Sequence, residues 1–119
     1  MKVIVAGSRS IQDNAVISKA IKSTGLKITE MGSGNARGVD TLAENYAGVH
    51  HIPFTNFPAY YDLYGKPAGA IRNDKIVAWA DAMIAVWDGK SDGTRDLIRA
   101  MNRAGKPVFL HLVENKNVR

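Results

Sequence analysis

Apolar and polar positions alternate along this chain in blocks that change period from strand-like to helix-like and back. Val3 to Ala6 is a short unbroken apolar run closed by Gly7-Ser8, the pattern of a parallel strand buried on both faces. Val16, Ile17, Ala20 and Ile21 then share one helical face, with Asp13 or Asn14 placed to cap the helix and Gly25 to end it. Leu26 to Met31 predicts a second, more mixed strand. Val39, Leu42, Ala43, Tyr46 and Ala47 recur at helical spacing, and that helix is expected to close between Gly48 and His51. Ile52 to Phe57 predicts a third strand, and Pro53 near its start favours a sheet edge.

Residues 58 to 69 break the rhythm, because Pro58, Gly65, Pro67 and Gly69 surround Tyr60, Tyr61 and Tyr64, so an irregular loop is expected. A helix follows through Ile71, Ile76, Val77 and Ala80. Ala82 to Trp87 is the most hydrophobic run and predicts a central fourth strand. The turn Asp88-Gly89-Lys90-Ser91-Asp92-Gly93-Thr94 leads to a helix with Leu97, Ile98, Met101 and Ala104 on one face, ended by Gly105. Pro107 to Leu112 predicts a fifth strand, and residues 114–119 form a polar tail.

Strands alternating with helices at this spacing imply right-handed crossovers and a mostly parallel five-stranded sheet between two helical layers. The expected fold is thus a single α/β Rossmann-like three-layer domain spanning residues 1–113. If the first and fourth strands are neighbours, their loops meet at the switch in strand order, where such sheets bind ligands.

At 119 residues the chain suits one core, so a site needing two domains would require self-association. Hydrophobic residues at 45% and charged residues at 23% are ordinary for a globular protein. No apolar run approaches the ~20 residues of a membrane span, and the start of the chain reads as a strand rather than a signal peptide. A cytoplasmic protein with no membrane partner is expected. The absence of cysteine fits a reducing compartment and leaves chemistry to oxygen and nitrogen groups. The net charge of +5 permits nucleic acid without demanding it, and Arg9, Arg37, Lys66, Arg72, Lys75, Lys90 and Arg95 fall in or beside loops. That placement suits a compact anion better than a long polyanion.

Three loops carry the candidate chemistry. In Gly32 to Asp40, glycines allow backbone N–H groups to approach an anion, the following helix adds its positive end, and Arg37 adds a charged fork. Ser8 and Arg9 after the first strand offer a hydroxyl and a guanidinium to a phosphate or ribose; equally, Ser8 caps a helix beside an exposed arginine. Gly93 and Thr94 open the last helix, where Thr94 either meets a phosphate or caps the helix. Arg72-Asn73-Asp74 reads from composition as a solvated face. Asp40, Asp88 and Asp92 are the carboxylates available to orient a ribose or stabilise positive charge during glycosidic cleavage, or else serve as loop and cap groups. The loop tyrosines either stack on a base or pin their loop. His50, His51 and His111 lack metal-ligand spacing, and no metal is expected.

Taken together, Val5-Ala6-Gly7-Ser8-Arg9, Ser33 to Asp40, Phe57-Pro58-Ala59, Ala68-Gly69-Ala70-Ile71-Arg72-Asn73 and Trp87-Asp88-Gly89 to Gly93-Thr94-Arg95 resemble the SLOG superfamily, most closely its short YspA-like, YpsA-related branch of bacteria and phages. The resemblance runs from Met1 to about Leu110. It implies binding of a nucleotide or nucleotide-derived ligand, NAD or ADP-ribose-like or a nucleoside phosphate, with no further cofactor required. The site it implies comprises Gly7, Ser8, Arg9, Ser33, Gly34, Arg37, Gly38, Asp40, Arg72, Asn73, Asp88, Gly89, Gly93 and Thr94. In that reading Arg37 and Arg72 neutralise phosphate, the glycines and Thr94 donate, and Asp40 or Asp88 orients a ribose.

Relatives implied by the resemblance differ in activity. The LOG phosphoribohydrolases cleave nucleoside monophosphates, and the DprA proteins bind single-stranded DNA through a similar loop, so an N-glycosidase and a single-stranded nucleic-acid binder are the alternatives. Two positions depart from the pattern: Leu97 stands where the phosphoribohydrolases carry a glutamate, and Asn35 where the branch usually has glycine. Superfamily members often self-associate, which adds a homo-oligomer to the expected partners.

Overall fold

The structure, a computed structural model, describes residues 1–34 and 38–113. Five strands, β1 (Lys2–Gly7), β2 (Glu30–Ser33), β3 (Phe54–Asn56), β4 (Ala82–Trp87) and β5 (Val108–Leu112), form one sheet in the order β3-β2-β1-β4-β5. Every pairing is parallel, so the sheet is wholly rather than mostly parallel. The helices are α1 (Asn14–Ser23), α2 (Val39–Val49), α3 (Tyr61–Tyr64), α4 (Ala68–Trp79) and α5 (Asp92–Arg103).

Side chains alternate across the central strands and divide the core in two. Val3 and Val5 of β1 and Ile84 and Val86 of β4 pack with Ile17, Ile21, Val39 and Ala43 of α1 and α2. Ile4 and Ala6, with Met83 and Ala85, face Ile76 of α4 and Leu97 and Met101 of α5 on the other side. The unbroken apolar runs in β1 and β4 follow from this double burial. Each buried valine, isoleucine or methionine there contributes roughly 1.5–3 kcal/mol, which makes β1 and β4 the rigid centre from which the loops project.

Helix ends follow local chemistry. Asp13 caps α1, its carboxylate accepting the Ala15 N–H at 2.9 Å. Gly25 and Gly105, both in the left-handed region, follow the ends of α1 and α5. The Lys106 ammonium donates to the Val77 carbonyl near the end of α4.

Several boundaries depart from the sequence reading. The second strand runs over Glu30–Ser33 rather than Leu26 to Met31: Leu26 and Ile28 pack against the core from the connecting segment, outside the ladder. The third strand is confined to Phe54–Asn56 and does lie at the edge. The expected loop contains the single turn α3, and α4 begins at Ala68, before Ile71. The last helix begins at Asp92, so Gly93 and Thr94 lie within its first turn.

The chain leaves β1 toward β2 and β3, then returns to β4 on the other side of β1, so strand order reverses between β1 and β4. Gly7 and Val86 lie side by side there. An ideal Cβ on Gly7 would fall 1.8 Å from the Val86 carbonyl oxygen and 2.8 Å from the Val39 side chain, so only glycine permits this approach of β1, β4 and α2.

Candidate functional site

A cleft of about 530 Å3 opens at this switch point. Gly7, Arg9 and Ser10 line it from the end of β1 and its loop, Gly34 from just after β2, Asp40 from the first turn of α2, Arg72, Asn73 and Ile76 from α4, and Asp88 and Ser91 to Thr94 from the β4–α5 turn and the start of α5. The three loops singled out in the sequence therefore converge on one concavity, as ligand sites of open α/β sheets do.

One wall is the β4–α5 turn. Ser8 is 1% exposed; its N–H donates to the Val86 carbonyl (3.1 Å) and its hydroxyl accepts the Asp88 N–H (2.9 Å). The Asp88 carboxylate accepts the N–H groups of Lys90 (2.8 Å) and Ser91 (3.0 Å) and the Ser91 hydroxyl (3.3 Å). Burial pushes the Asp88 pKa up, but hydrogen bonds from the Lys90 and Ser91 backbone and from the Ser8 and Ser91 hydroxyls outweigh it and hold the carboxyl below its ordinary value. Ser8 thus ties the two loops together rather than lining the cleft, and Asp88 is an ionised brace of its own turn.

That brace exposes a helix end. Ser91 is the N-cap of α5, yet its hydroxyl turns to Ser8 (3.3 Å) and Asp88 instead of capping the helix. Residues Asp92, Gly93 and Thr94, whose N–H groups begin the helix, line the cleft without a side-chain cap. Asp92 itself is well exposed and pairs with Arg95 at 2.7 Å. Thr94 is buried at the third helical position, so it does not cap α5.

The opposite wall is built around Arg72. Its Nη1 donates to the Gly34 carbonyl and its Nε to the Asn73 side-chain oxygen, both at 2.9 Å. An ideal Cβ on Gly34 would lie 2.8 Å from Arg72 Nη1 and 3.4 Å from Asp40 Oδ2, so guanidinium and carboxylate converge at that glycine. Asp40, in the first turn of α2, is buried and has polar partners of its own. Gly38 precedes it with φ +70°, and a Cβ there would meet the Arg9 carbonyl oxygen at 2.4 Å. Glycine at 38 lets the backbone entering α2 lie directly against the Arg9 carbonyl.

The remaining sequence-derived candidates divide clearly. Arg9 lines the rim with an exposed side chain. Ser33 is buried at the end of β2, where its carbonyl accepts the Phe57 N–H at 2.8 Å. Gly89, with φ +82°, shapes the turn and is not among the lining residues. Asn35 and Arg37 lie outside the described residues. Leu97 does reach the site, forming an apolar floor with Ala6 and Ile76. Sequence reasoning passed over Ser10, Ser91 and Ile76; for Ser91 the signal was present, a serine directly before the acidic first turn of a helix. No cluster of metal-ligating side chains occurs among the described residues, and no helix there is long and apolar enough to cross a membrane.

The sheet order and the cleft between β1 and β4 define a Rossmann-like α/β protein with its candidate site at the topological switch point. The chain is 34% identical over 120 residues to the Gene 61 protein of Mycobacterium phage D29, an alignment covering 91% of this chain and 94% of that protein. It belongs to the family of that phage protein. No protein-family model and no solved structure matches it.

Proposed function

We propose that this protein binds a nucleotide or nucleotide-derived ligand, of the NAD, ADP-ribose or nucleoside-phosphate kind, in the cleft between β1 and β4. The observation that carries this reading is the pairing of two anion-binding features across one cavity: the uncapped first turn of α5 on one wall and Arg72, held by Gly34 and Asn73, on the other. Arg9 adds a cation at the rim, and Asp40 supplies a carboxylate to a ribose hydroxyl. The apolar floor of Ala6, Ile76 and Leu97 suits the uncharged part of such a ligand. The resemblance to the SLOG superfamily supports the same assignment, because Gly7, Arg9, Gly34, Asp40, Arg72, Asn73, Gly93 and Thr94 all line this cleft.

Binding without turnover is the reading we favour over N-glycosidic cleavage. Asp88 is committed to its turn, Asp92 is solvated and paired with Arg95, Asp40 is buried with polar partners of its own, and residue 97 is a leucine in the floor. Mass spectrometry of small molecules released on denaturing the purified protein tests the proposal: a retained nucleotide is expected. Retention of a ligand with neither phosphate nor ribose would overturn it.

A further inference from the structure

The two edges of the sheet are built differently. β3 is three residues long, follows Pro53, and exposes Thr55 and Asn56, features that discourage a further strand from pairing. β5 also follows a proline, Pro107, whose carbonyl bonds inward to β4, but it is neither short nor polar on its exposed positions. It is five residues long, Val108-Phe109-Leu110-His111-Leu112, with neither proline nor lysine, arginine, aspartate or glutamate within it. Leu110 and Leu112 are 51% and 64% exposed, although a parallel sheet normally covers both faces.

The hydrogen-bond register shows which groups β5 presents outward. The Pro107 carbonyl accepts the Met83 N–H (3.0 Å) and the Val113 N–H donates to the Trp87 carbonyl (2.8 Å), so odd-numbered residues bond toward β4. The N–H and C=O groups of Val108, Leu110 and Leu112 consequently point away from the sheet, because bonding direction alternates along a strand. The side chains of the same residues lie on the α4 and α5 face, in register with Met83, Ala85 and Trp87.

We propose that β5 pairs antiparallel with β5 of a second copy of this chain, making one continuous sheet across a two-fold axis at Leu110. The edge is self-complementary in the way such an axis demands. Leu110 would meet Leu110 of the other copy as a hydrogen-bonded pair, and Val108 would meet Leu112, so every outward N–H finds a carbonyl. The exposed leucines then cover one another on one face, and no charged side chain of either strand opposes its own copy. An interface built on five residues per chain is small beside the ~1,200–2,000 Å2 of a standard stable interface, which makes the association concentration-dependent rather than permanent.

Sedimentation equilibrium on the full chain over a wide concentration range, with wild type beside L110K, tests this. Wild type is expected to shift from the 12.9 kDa monomer toward twice that mass. L110K, which sets two ammonium groups against each other at the axis, is expected to weaken association by at least about tenfold. A wild type that stays monomeric throughout, or an L110K variant that associates as tightly as wild type, would overturn the proposal. The cysteine-free chain allows a positional check that leaves the edge uncharged: L110C carries a lone thiol, and hydrogen-bonded antiparallel partners stand about 5.5 Å apart at Cα, within disulfide reach. Oxidation should link L110C into dimers about tenfold faster than L63C, whose position on α3 is 71% exposed and remote in sequence. Equal rates would contradict the pairing.

Discussion

Arg72 Nη1 donates to the Gly34 carbonyl at 2.9 Å, joining α4 to the end of β2 in one wall of the cleft. A second bond, from Nε to Asn73, fixes the plane of the guanidinium. Replacing Arg72 by lysine keeps the charge but removes this fork, since an ammonium is a point donor on a flexible stem. Nucleotide affinity of Arg72→Lys is expected to fall by about threefold to tenfold, less than for removal of the charge, as measured by calorimetry.

Gly7 sets the spacing of the site. A methyl group there would overlap the Val86 carbonyl, so β1 and β4 must move apart at the switch point. Gly7→Ala is expected to lose at least about 1–3 kcal/mol of stability in urea unfolding. Unchanged stability would show that the β1–β4 approach is not as close as described.

The Ser8 hydroxyl is buried and accepts the Asp88 N–H. Ser8→Ala leaves that donor without its partner, at a cost of about 1–3 kcal/mol. The same change is expected to weaken ligand binding, because the first turn of α5 is placed by the turn that Ser8 anchors.

Asp88 makes acid stability a readout of the turn. Its carboxyl is held below the ordinary value of 3.8 in the folded protein, so folding favours the ionised form. The resulting stabilisation is complete above that ordinary value and is lost as pH falls through the lower folded-state pKa, because protons then bind the unfolded chain first. The thermal midpoint of wild type should therefore drop on acidification through this range, and Asp88→Asn should drop less steeply. Equal slopes would contradict the assignment.

Turnover is separable from binding. With nucleoside monophosphates or NAD at high enzyme concentration, chromatography is expected to detect no released base. Release that disappears in Asp40→Asn would move the protein to the N-glycosidases, with Asp40 as the working carboxylate.

Much of the fold was legible because burial on both faces writes itself as unbroken apolar runs. Ala82 to Trp87 coincides with β4, and Val3 to Ala6 lies within β1. β2 was displaced because its buried positions beyond Met31 are Gly32 and Ser33, which carry no hydrophobic signal, while Leu26 and Ile28 contribute to the core without joining the ladder. The loops of the cleft were legible where glycines mark turns, whereas Arg72, on α4, reads from composition as a solvated face and was singled out only through the resemblance. Hydroxyls were harder to place: Ser8 and Ser91 look alike in sequence, yet one is sealed between two loops and the other lines the cleft. Only the approach of β1 to β4, a contact between residues nearly eighty positions apart, distinguishes them.

The central claim is tested most directly by calorimetry of wild type and Arg72→Ala against ADP-ribose, NAD and a nucleoside monophosphate. At least one of these is expected to bind wild type, with affinity reduced about tenfold or more in Arg72→Ala, the effect of removing a charge-assisted contact worth ~1.5–3 kcal/mol. Wild type that binds none of them, or Arg72→Ala that binds as tightly as wild type, would contradict the account.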